Sequence, residues 1–158
     1  MVIWSWIIII VLVYFLLVLI IPFLIFPGFL IGREFKVTEK TRKIASKLKG
    51  RDKEKTLRNV FNYVTRMYSS EKYKLFLQLH KHFYTDIDEI IDKKQFLPCH
   101  GQSFAFVTLL ISTGQFKIKD LERRITITNY GLIHQHYLIR VENKVFKVDP
   151  FYEIIEII

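Results

Sequence analysis

The stretch HQHYLIRVENKVFKVDP, His134–Pro150, decides the fold. Its polarity alternates with period two and it is rich in β-branched and aromatic residues, which predicts two antiparallel strands turning at Glu142, Asn143 and Lys144. Tyr137, Ile139, Val141, Phe146 and Val148 then share one face. His134, His136, Leu138, Arg140, Val145, Lys147 and Asp149 share the other. The register is open by one residue. With Glu142 and Asn143 as the turn pair, Asp149 lies opposite His136 and diagonal to His134. With Asn143 and Lys144, it lies opposite Leu138 and diagonal to His136. Diagonal partners, roughly 7–8 Å apart at Cα, stay within reach of long side chains.

Upstream the period lengthens. Leu57, Val60, Phe61, Val64 and Met67 recur at helical spacing, so Asp52 to Tyr68 is predicted as an amphipathic helix. A second helix is expected to bury Tyr73, Phe76, Leu77, Leu79 and Phe83, and a short one to run from Asp86 to Asp92. A third opens at Cys99, carries Phe106, Val107, Leu110 and Ile111, and ends at Gly114. Helices first and strands after give an α+β domain.

The N-terminus has a different composition. No charged side chain occurs from Val2 to Ile31, and Val2–Ile21 is apolar apart from Ser5. About 20 such residues span a bilayer core. No basic n-region and no small-residue cleavage site accompany the run, so it is read as an uncleaved transmembrane helix. From Arg33 to Arg58, eleven Lys and Arg face four acids, giving +7 of the chain's formal net charge of +9. Basic flanks stay on the cytoplasmic side, so the expectation is a single-pass membrane protein with a cytoplasmic soluble domain. The expected division is an anchor at 1–31, a basic juxtamembrane linker at 32–56, and a domain at 57–158. The basic run is read as an orientation signal that contacts anionic lipid, not as a nucleic-acid patch.

Cys99 is the only cysteine among 158 residues, which excludes an internal disulfide. It sits at a helix start, where free N–H groups and the helix dipole favour an anion and lower a thiol's pKa. His134 and His136 open one strand and Asp149 closes its partner on the same face. Nucleophile, base and orienting carboxylate are thereby available for acyl transfer. Metal binding is the rival use of the histidines, but no C-x-x-C or H-E-x-x-H pattern occurs, and the H-x-H pair His80 and His82 diverges on a helix. No metal and no cofactor are expected.

CHGQSFAFVTLLISTG, followed by HQHYLIRVENKVFKVDP, resembles the core of transglutaminase-like cysteine peptidase domains over roughly Leu57 to Tyr152. Val148-Asp149-Pro150 after a hairpin is the most specific piece. The resemblance implies a papain-like fold, with Cys99 as nucleophile and Asp149 as orienting acid. In that family the histidine often precedes the aspartate by the spacing of His134 from Asp149, with an aromatic residue two places on. Here His136 fills that place, so His134 is preferred and His136 stays an alternative base. His100 is read as a surface residue. The Cys99 N–H, Gln95 and Gln102 are candidate oxyanion donors. The implied function is a membrane-anchored cysteine hydrolase, a peptidase or amidase acting on a protein or peptide. The alternative is a catalytically inactive, membrane-tethered interaction module of the same fold.

Overall fold

The computed structural model describes residues 2–25, 34–71, 74–78, 81, 86–93, 96–127 and 133–158. The chain divides into two units, Met1–Glu34 and Phe35–Ile158.

The first unit holds helix α1, Val2–Ile25. Among the described residues no helix is long and apolar enough to cross a membrane. The expected transmembrane helix is therefore corrected. The single-pass topology, the bilayer as partner and the cytoplasmic placement rested on that anchor and are withdrawn with it.

The second unit is α+β. Its helices are α2 (Glu39–Leu48), α3 (Lys53–Met67), α4 (Lys74–Leu77), α5 (Ile87–Asp92) and α6 (Cys99–Ser112). A 3-10 turn at Ile118–Asp120 leads into β1 (Leu121–Ile127), β2 (Ile133–Val141), β3 (Lys144–Asp149) and β4 (Ile154–Ile157). The strands form an antiparallel sheet in the order β1-β2-β3-β4.

Helix α6 is the hub. Every residue from Cys99 to Leu110 is buried, because the helix packs against α2, α3 and α5 as well as β2. The burial runs all round the helix and takes in the polar His100, Gln102, Ser103 and Thr108. From the sheet, Tyr137, Ile139, Val141, Phe146 and Val148 enter the same core, meeting Leu57, Val60 and Val64 of α3. Gly114, at φ +73°, ends the α6 region in the left-handed conformation that glycine adopts without a Cβ penalty.

Between Glu34 and Thr56 the chain forms α2 and the first turn of α3. Thr38 caps α2 by accepting from the Thr41 N–H, while the Thr41 hydroxyl accepts from the Thr38 N–H. The Thr38 hydroxyl also donates to Asp88 of α5 at 2.6 Å, and Thr41 and Ala45 are wholly buried. The basic residues mask this signal, since only one narrow face of α2 is apolar.

Within the expected second helix the described residues form α4, and Leu77, expected inside, is 75% exposed. Tyr73, Leu79 and Phe83 lie outside the described residues, and the Phe76 side chain is likewise undescribed. Asp52 and Asp86 cap α3 and α5, each accepting backbone N–H groups of the first turn.

Candidate functional site: a buried thiol, imidazole and carboxylate

The hairpin register is set by the closing pair Val141↔Lys144, with Glu142 and Asn143 as the turn. Tyr137 pairs with Val148, so continuing the ladder brings Asp149 level with His136. The side-chain bond nevertheless runs along the diagonal: Oδ2 of Asp149 meets Nε2 of His134. His136 stacks beside this pair, its ring 6.4 Å from that of His134 at 18°.

Both ends of the pair are held. The second carboxylate oxygen of Asp149 accepts the Tyr152 N–H at 3.1 Å, made possible by the turn that follows Pro150. That turn also lays the Phe151 and Tyr152 rings on His134, at 6.1 Å and 4.5 Å between centroids. His134 and Asp149 are consequently 5% and 3% exposed, although they project from the sheet face opposite the core-filling residues.

Cys99 reaches the site from α6. Pro98, in extended conformation at the N-cap, breaks the preceding chain and accepts from the Gly101 and Gln102 N–H groups. One turn past the thiol, the Ser103 hydroxyl makes a long 3.5 Å contact to the carbonyl of Gln135, next to His134. The thiol is near enough to act on the imidazole. Burial alone would lower the His134 pKa; the hydrogen bond to Asp149, then that to Cys99 and both partners' charges, override burial and raise it to about 9. His136 goes the other way, lowered chiefly by burial. The two rings are neighbours with opposite charge preferences, because only His134 has a carboxylate partner.

Gln102 has another task. Its Nε2 donates to the carbonyls of Leu97, at 3.0 Å, and Ser69, at 3.2 Å, so it braces the loop before Cys99 instead of facing an oxyanion. Gln95 lies outside the described residues, as do His80 and His82. His100, expected at the surface, is 5% exposed because it sits in the first turn of a helix covered on all sides. The roles of Tyr152, Phe151 and Ser103 escaped sequence reasoning. The position of Ser103 four residues after Cys99, on the same helix face, was the available signal.

The expected function is corrected here. Among the described residues no group of three or more His, Cys, Asp and Glu could hold a metal ion. Cys99 is only 7% exposed, and His134 and Asp149, at 5% and 3%, are more deeply covered still. A thiol so enclosed leaves too little open surface for a peptide backbone to lie across it. The membrane-anchored peptidase or amidase is therefore set aside, and so is the membrane-tethered interaction module, which required the anchor.

No family model, known protein or solved structure matches the chain.

Proposed function

We propose that Cys99, His134 and Asp149 work as one thiol site that attacks a small electrophile. Cys99 is the nucleophile, His134 holds the proton, and Asp149 orients the ring and stabilises its charged form. The observation that carries this reading is that one imidazole interacts with a carboxylate and with the chain's single thiol at once. With Nε2 committed to Asp149, Nδ1 is the nitrogen left for the sulfur. The resemblance of Cys99–Gly114 and His134–Pro150 to transglutaminase-like domains supports the same three roles. Enclosure favours a compact electrophile over a polymer.

The test is alkylation of the full chain with iodoacetamide at pH 7. Because Cys99 is the only cysteine, labelling reports one site. The rate for each protein is referred to that of the same protein unfolded in urea, so that only the folded environment is compared. His134→Gln is expected to slow labelling of the folded chain, and Asp149→Asn to slow it less. If neither change slows the labelling of Cys99, the reading fails. His134 and Asp149 then serve only as a clasp between β2 and β3, a role their depth of burial also suits.

A further inference from the structure

Cys99, His134 and Asp149 are all buried, and the rings of Phe151 and Tyr152 lie against the imidazole. Room beside the sulfur is the first constraint on what can react there. A carbonyl substrate brings a carbon with two further substituents, swells to a tetrahedral intermediate, and needs fixed donors for its oxyanion. Gln102, one turn along α6 from Cys99, is not such a donor. Both hydrogens of its Nε2 are taken, by the Leu97 carbonyl at 3.0 Å and the Ser69 carbonyl at 3.2 Å. The Ser103 hydroxyl faces the Gln135 carbonyl instead. Hydrogen peroxide makes neither demand. It is two oxygen atoms long, and displacement at one oxygen leaves charge only on the other, where one proton neutralises it. The His134 ring is placed to give that proton, because Asp149 at Nε2 favours its charged form and the Cys99 thiol bonds to the same ring.

We propose that Cys99 is an oxidation site for hydrogen peroxide, which converts its thiol to a sulfenic acid. The assignment rests on the thiol site of Cys99, His134 and Asp149 and names its electrophile. The sulfur attacks one peroxide oxygen, and the S–O bond forms as the O–O bond breaks. The departing oxygen takes a proton from Nδ1 of His134 and leaves as water, while the proton of the thiol returns to the ring. Thiol and peroxide thereby become sulfenic acid and water; the sulfur is oxidised by two electrons and the peroxide is reduced by the same two. Cys99 is the only cysteine, so no second thiol within the chain can close a disulfide on the product. Return to the thiol takes an external small thiol, which forms a mixed disulfide and is then displaced by a second one.

The experiment treats the full chain with hydrogen peroxide, removes the excess with catalase, unfolds the protein and titrates the remaining thiol. The rate of thiol loss in the folded chain is divided by the rate in the same chain unfolded in urea, and iodoacetamide is treated in the same way. The peroxide quotient is expected to exceed the iodoacetamide quotient by about tenfold or more, since a positioned proton donor contributes at least that much. The bulkier tert-butyl hydroperoxide, with the same reacting bond, is expected to give a lower quotient than hydrogen peroxide. Dithiothreitol should restore the lost thiol, as it does for a sulfenic acid and does not for methionine sulfoxide at Met1 or Met67. His134→Gln brings the peroxide quotient down toward that of iodoacetamide. The comparison of reagents on the wild-type chain stays decisive should that variant not fold. A peroxide quotient no higher than that of iodoacetamide, equal quotients for the two peroxides, or thiol loss that dithiothreitol leaves in place would each overturn the proposal. If iodoacetamide labelling still depends on His134 in that case, the thiol site stands and hydrogen peroxide is not its electrophile. If neither reagent depends on His134, both readings fall.

Discussion

Replacing His134 with glutamine removes a titrating group and keeps a side chain that can still donate to Asp149, so it isolates what protonation contributes to stability. The folded-state pKa of His134 is about 9, raised above its ordinary 6.5 despite burial because Asp149 and Cys99 both favour the charged ring. A pKa raised by folding stabilises the protein fully below the unfolded value, and that contribution is lost as pH rises through the folded one. The window therefore runs from about 6.5 to about 9. At about 1.4 kcal/mol per pH unit the gap amounts to about 3 kcal/mol. The ring is 5% exposed, so solvent screening takes little from that figure. Urea unfolding of the full chain, followed by far-ultraviolet circular dichroism at pH 6 and pH 10, gives the comparison. His134→Gln is expected to cost about 3 kcal/mol more at pH 6 than at pH 10. The same pair of proteins carrying Cys99→Ser should show a smaller gap, because Asp149 remains and the thiol does not. A penalty for His134→Gln that is equal at the two pH values would refute the charged-ring account.

Two further outcomes follow from the packing and the backbone. Phe146 is fully buried at the centre of the sheet's core face, so Phe146→Ala should cost about 3–5 kcal/mol in urea unfolding. Glu142 occupies the first turn position of the hairpin at φ +54°, where an L side chain is strained. Glu142→Gly should raise stability by up to about 1 kcal/mol without shifting the β2–β3 register, as cross-strand nuclear Overhauser contacts between Tyr137 and Val148 would report. A register shift, or a loss of stability, would count against the turn assignment.

Periodicity was informative where one physical demand acted at a time. The α3 stripe and the Tyr137–Val148 face each answer to a single core, and so they are legible in spacing alone. Helix α2 answers to two demands: a basic solvent face and a narrow buried face at Thr41 and Ala45, whose small side chains carry almost no hydropathy signal. For α6 the difficulty was the reverse. Burial all round erases amphipathic contrast, so His100 gave no sign of being inside. The apolar N-terminal run supplied length and composition, and the topology inferred from it rested on those two properties and on the basic residues that follow.

The choice between the two histidines shows how a site can depend on a distant turn. Side chains alternate with period two, so a hairpin turning one residue later would change the residues that face Asp149 and place Leu138 opposite it. The turn at Glu142 and Asn143 fixes the register, and that register puts His136 level with the aspartate. What selects His134 is the chain after the strand. Pro150 ends β3, the Tyr152 N–H takes one carboxylate oxygen, and the rings of Phe151 and Tyr152 close over the diagonal neighbour. The remaining oxygen then has His134 as its partner. The same closure leaves His134 5% exposed. The partner and the cover of the imidazole are thus both set by one short segment, Pro150 to Tyr152.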